Sequence, residues 1–182
     1  MVPDSVPPVL RRLGLLSLEV QRMPKGLGQT FGDPQAYPYL SVCTTSTHDM
    51  PTVRGFWEED AVARRAFYGE VMKRDGEPPA EATPEICRFI AEQNLGGASM
   101  WCILPLQDWL GIDPQLRHPV ASEERINVPA NPRHYWRYRM HLTVDALARA
   151  TEFNQLVRRL ITDSGRQGGS RGGAGNAEAR ER

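Results

Sequence analysis

Long apolar runs, surplus charge and cysteine are all scarce in this sequence. No stretch of 18 apolar residues occurs in the 182-residue chain, so no segment reads as a membrane-spanning helix. Lys plus Arg and Asp plus Glu each number 22, which leaves a formal net charge of zero. With that balance and no basic face elsewhere, a nucleic-acid partner is not expected, although Arg133-His134-Tyr135-Trp136-Arg137-Tyr138-Arg139 mixes basic and aromatic residues and Arg171-Gly172-Gly173 follows in the tail. The three cysteines, Cys43, Cys87 and Cys102, are odd in number, far apart in sequence and set among apolar residues. Without CxxC or HExxH spacing they read as buried free thiols of a reducing compartment, and no metal is expected. His118, His134 and His141 have no ligand-like spacing. The opening Met1-Val2-Pro3-Asp4 lacks a basic stretch followed by an apolar core, so the expectation is an intracellular protein without a secretory signal.

What is present is ordinary for one globular domain: 40% hydrophobic residues and 8% aromatic. Asp4-Ser5 ahead of Val6-Pro7-Pro8 opens a helix, since proline is tolerated in a first turn, and Gly14 suits its C-terminal cap. Leu15–Val20, Tyr39–Thr44 and Ser99–Leu104 read as short apolar strands. Between the first two, residues 21–38 are rich in Gly and Pro and form a long loop. Helical patterns cover about 58 to 74, a stretch capped by Thr83-Pro84 that carries Ile86, Phe89 and Ile90, then Leu106–Leu110, and finally roughly 143 to 162. Residues 111 to about 135 are irregular. From Ser164 onward six of nineteen residues are glycine and almost none is apolar, too little to order the tail. Strands alternating with helices imply an α/β fold with parallel strands. Since a complete (β/α)₈ barrel needs about 250 residues, the pattern suits part of a barrel or a small α/β unit.

The sharpest chemical feature is Thr47-His48-Asp49, directly after the second strand. A histidine beside a carboxylate can grip adjacent sugar hydroxyls, one donating and one accepting. Asp49 could also strengthen its bond to a 2-hydroxyl as charge develops on the sugar ring. The bland reading is a strand-end turn in which Asp49 caps the next helix. In Glu123-Glu124-Arg125-Ile126-Asn127-Val128-Pro129, Arg125 and Asn127 could hold a carboxylate and a hydroxyl, or the stretch could be a solvated loop with an internal salt bridge. Trp57, Trp101, Trp109, Tyr135 and Trp136 could stack on sugar faces, or simply be core.

Seven stretches, in order, resemble the plant-type disproportionating enzymes, 4-alpha-glucanotransferases of the amylomaltase group (glycoside hydrolase family 77). They are Asp4–Val9, Gln21-Arg22-Met23-Pro24, Ser46–Asp49, Phe56–Asp60, Ser99–Asp108, Arg125-Ile126-Asn127 and Asn131–Arg139. Where bacterial members carry Asn after the His-Asp pair this chain has Met50, as suits the plant type. The resemblance implies that residues 1–163 are the C-terminal part of a (β/α)₈ TIM barrel, incomplete in this chain, followed by a disordered tail, 164–182. It implies transfer of glucosyl units from maltose or α-1,4-glucan to a glycan acceptor, with retention, in the cytosol and without a cofactor. Such catalysis uses an Asp nucleophile and a Glu acid/base about 5–5.5 Å apart. By the resemblance both lie upstream of the matched region, so this chain alone is expected to be inactive. What remains is the third carboxylate, the transition-state stabiliser Asp49, with His48 beside it and Asn127 near the same cleft. A non-catalytic fragment that binds glucan, or the missing N-terminal part of the barrel, is the other expectation.

Overall fold

The structure, a computed structural model, describes residues 3–166. Three strands, β1 (Ser17–Val20), β2 (Ser41–Thr44) and β3 (Trp101–Cys102), form one parallel sheet in the order β1-β2-β3. The expected α/β pattern is therefore present, with strands shorter than the apolar runs suggest. Pairing nevertheless runs past both ends of β3: the N–H of Met100 donates to Tyr39 O and that of Ile103 to Cys43 O. Pro105 closes the run because it has no N–H to offer.

Helix α1 (Val6–Leu13) has prolines in its first turn and ends at Gly14, whose φ of 63° is the left-handed region that favours glycine. Ser5 makes no side-chain cap. The connection from β1 to β2 is irregular, with only a 3₁₀ turn at Pro34–Ala36. Gly97 lies against it: a Cβ there would stand 2.9 Å from Pro34 O.

The helical stretch expected over 58–74 is instead two helices, α2 (Val53–Glu59) and α3 (Ala61–Glu70). Asp60 divides them, because its extended backbone turns the chain and its carboxylate accepts from the N–H groups of Val62 and Ala63. Helix α4 (Pro84–Leu95) starts at the Thr83 cap as expected, and α5 (Leu106–Leu110) follows β3. The irregular stretch after α5 contains a 3₁₀ turn at Ala121–Glu124. The last helical pattern is also two pieces, α6 (Val144–Arg149) and α7 (Thr151–Asp163), and Asn154 Nδ2 donates to the carbonyls of Leu147 and Ala148 at the break. Of the tail expected from 164, only 164–166 lie within the described residues. There the Arg166 guanidinium donates to the carbonyls of Leu95, Gly97, Ser99 and Met100.

The two faces of the sheet differ. Glu19, Cys43 and Cys102 share one row, against α4 and the core; Cys43 Sγ lies 3.5 Å from Asn94 O. Cys43 and Cys102, distant in sequence, are thus neighbours, and the Cys102 thiol beside it draws the Cys43 pKa down. All three cysteines are free thiols. The core beyond them centres on Phe67, which meets Phe31, Phe56 and Trp57 edge to face at 5.0 to 6.3 Å between centroids. Leu18, Val42 and Trp101 form the next row on the opposite face, where Leu18 is 52% and Trp101 57% exposed. No helix among the described residues is long and apolar enough to cross a membrane.

Candidate functional site

The loop leaving the carboxyl end of β2 carries His48 and Asp49 and is fixed from three directions. Asp108, on α5 and 5% exposed, accepts from the hydroxyls of Thr45 and Ser46 at 2.6 Å each through Oδ2. Its Oδ1 accepts from the N–H of Val53 at 2.8 Å, so one buried carboxylate ties both ends of the loop together. From the loop after β1, Arg22 Nη2 donates to the carbonyls of Thr45 and Pro51, each at 2.9 Å, while its guanidinium lies over the Phe56 ring. Burial lowers the Arg22 pKa to about 10, which still leaves it charged at neutral pH. On the third side Glu124 accepts from Thr52 Oγ1 at 2.8 Å and pairs with Arg54 Nη1 at 2.5 Å. Burial pushes the Glu124 carboxyl up, against the pull of Arg54.

On this fixed base His48 and Asp49 stand out into solvent, with side chains 55% and 54% exposed. Asp49 Oδ2 is 3.2 Å from His48 Nε2, and Asp49 Oδ1 accepts from Asn127 Nδ2 at 2.7 Å. The three candidate residues thus meet, although Asn127 lies 78 positions along the chain from Asp49. Asn127 is itself held: its carbonyl accepts from Arg125 Nε, and Arg125 Nη1 reaches Glu59 at 3.3 Å. Arg125 therefore holds a carboxylate of this chain. Trp136 faces His48, with ring centroids 5.1 Å apart and planes tilted by 51°.

Two of the bland alternatives do not hold. The cap of α2 is Thr52, which accepts from the N–H of Gly55, and Asp49 caps nothing. The 123–129 stretch has no internal salt bridge and is not wholly solvated, because Glu124 is 2% exposed and pairs with Arg54, and Arg125 pairs with Glu59. The aromatics separate as well: Trp57 is fully buried, Trp109 packs partly buried against the core, Trp101 lies in the open sheet row, and Tyr135 and Trp136 are exposed.

Sequence reasoning missed Asp108, Arg22, Arg54 and Glu124 as the supports of the site. Arg22 and Asp108 sit inside the quoted resembling stretches, yet their partners lie up to 63 positions away, so no local spacing reveals the contacts.

Chemically, the cluster offers an acceptor carboxylate, an imidazole and a carboxamide within a few ångströms, on a surface open to solvent. Such a set complements vicinal hydroxyls, which both donate and accept. Among the described residues no group of three or more His, Cys, Asp or Glu is placed to hold a metal ion.

Comparison with known proteins identifies the family. The family model described as 4-alpha-glucanotransferase matches residues 1–143. The rice protein "4-alpha-glucanotransferase DPE2" is 44% identical over 166 residues, covering 91% of this chain and 18% of the rice protein. A 4-alpha-glucanotransferase of Chlamydia pneumoniae is 25% identical over 165 residues, covering 89% of this chain and 31% of its own length. This chain therefore spans well under half the length of either relative. Among solved structures, amylomaltase from Streptococcus agalactiae in complex with acarbose superposes with a TM-score of 0.68 at 17% identity, covering 92% of this chain and 31% of the amylomaltase, which shows a shared fold over most of the chain. With the family model covering well over half of its residues, the chain belongs to the 4-alpha-glucanotransferases of glycoside hydrolase family 77.

Proposed function

We propose that this chain carries the transition-state-stabilising side of a retaining 4-alpha-glucanotransferase that moves glucosyl units from maltose or α-1,4-glucan to a glycan acceptor. The observation that carries the reading is the meeting of His48, Asp49 and Asn127 beyond the carboxyl end of a parallel strand, where barrel enzymes place their chemistry. Asp49 and His48 hold the 2- and 3-hydroxyls of the glucose at the cleavage point. Asp49 binds more strongly as the ring gains positive charge, and that differential lowers the barrier. Asn127 holds the carboxylate in place by donating to Oδ1.

In this reading the strands are the closing part of a (β/α)₈ barrel, and nucleophile and acid/base come from strands upstream of the matched region. Support comes from the open row of Leu18, Val42 and Trp101, an apolar sheet face of the kind a barrel interior covers, and from the 18% of the rice relative that the chain spans. The 182-residue chain alone would then turn over no substrate, because each absent carboxylate supplies its own large factor. The reading places the protein in the cytosol, supported by cysteines that are free thiols.

Sequencing the transcript upstream of Met1 tests this. An open frame running into an acid/base Glu and a nucleophile Asp is expected, and in that longer protein Asp49→Asn should abolish transfer from maltose to glycogen. A stop codon directly upstream would contradict it. The exposed apolar row would then favour a non-catalytic chain whose sheet a barrel partner covers.

A further inference from the structure

The hydroxyl-binding cluster accounts for His48, Asp49 and Asn127 but leaves a large aromatic surface beside them unused. We propose that Trp136 is a stacking platform for a second glucosyl ring, next to the ring whose hydroxyls His48 and Asp49 hold; the proposal rests on that reading of the pair.

Trp136 is 62% exposed, although indoles lose most by standing in water, and it stands within 5.1 Å of a functional histidine. The 51° tilt means that His48 does not stack flat on the indole, and the residue's exposure leaves indole surface open to a ligand. A pyranose presents a face of C–H groups, weakly positive, and an indole face is the negative part of its quadrupole. The contact asks nothing of the sugar's hydroxyls, which suits a position where the ring must be held and released.

The platform is also fixed relative to the hydroxyl grip. His134 Nε2 hydrogen-bonds Ile126 O at 2.8 Å, and Ile126 is the neighbour of Asn127. The His134 N–H donates to Asn131 O and that of Arg137 to Tyr135 O, so the backbone on both sides of Trp136 is turned and tied. Asn127 and Trp136 therefore belong to one braced segment, 125–137, that faces the His48 loop. Trp101, also exposed, is no substitute, because it belongs to β3 and pairs with Val42, ahead of the carboxyl end of β2.

The experiment uses the 182-residue chain with maltotriose and, as a single-ring probe, methyl α-glucoside. Affinities come from calorimetry, and the indole N–H resonance of Trp136 is assigned by its loss in Trp136→Phe. On maltotriose titration that resonance should shift. Trp136→Ala should weaken maltotriose by about tenfold, the size expected for one lost stacking contact, and leave methyl α-glucoside unchanged. Trp136→Phe, which keeps an aromatic face, should stay within about threefold. Unaltered maltotriose affinity in Trp136→Ala, with a silent indole, overturns the platform. An equal loss for both sugars also overturns it, since that marks a displaced His48. Affinity untouched by Asp49→Asn strikes the hydroxyl-gripping reading instead, and a chain that binds no maltotriose strikes both.

Discussion

Two sets of polar residues meet around the loop that follows β2 and behave oppositely. Asp108, Arg54 and Glu124 are buried, and each is engaged by several partners. His48 and Asp49, on the loop itself, are more than half exposed, and Asp49 makes one short bond to Asn127. The first set has the signature of a scaffold, since buried charges persist where they are paired and hydrogen-bonded. The second has unspent hydrogen-bonding capacity aimed at solvent, which is what a site needs if a ligand is to complete it. The comparison teaches that the buried carboxylates here act as supports, while exposure leaves Asp49 available to a ligand.

Substitutions that break the contrast should sort by size. Glu124→Ala strands a buried Arg54 guanidinium and should cost about 3–5 kcal/mol in urea unfolding. Asp108→Ala removes the acceptor of three groups and should cost about 3 kcal/mol by the same measurement, with release of the loop seen as new hydrogen exchange at Val53. Replacing Leu18 and Trp101 together by serine should change monomer stability by less than about 1 kcal/mol, because both already face solvent, and should lower self-association in analytical ultracentrifugation. Asp49→Asn should shift stability by no more than about 0.5 kcal/mol, since its side chain and its contact with His48 are exposed.

The same contrast explains what the sequence reveals. Short apolar runs bounded by turn residues disclose the three strands, and Thr83-Pro84 and Gly14 disclose helix ends, because these signals are local. The break at Asp60 was missed because the apolar periodicity runs straight across it, and only the carboxylate's capping of α3 shows the turn. Ala150 offered no breaker residue at all; the split there is stabilised by Asn154 from the following helix. His48 and Asp49 were legible from their place after a strand, and Asn127 through the resembling stretch Arg125-Ile126-Asn127. The scaffold was not, because Asp108 and Glu124 become supports only through contacts 55 to 72 positions away. Nothing local separates Trp136 from the other aromatics; its exposure and its contact with His48 set it apart.

The central claim is that Asp49 serves a ligand and not the fold. It is tested most directly by measuring the unfolding free energy and the maltotriose affinity of Asp49→Asn against the unaltered chain, side by side. The account predicts stability within about 0.5 kcal/mol and affinity reduced by at least about tenfold, the loss expected for a hydrogen bond to a charged group. A fall in stability of several kcal/mol with sugar binding unchanged would make Asp49 part of the scaffold and contradict the account.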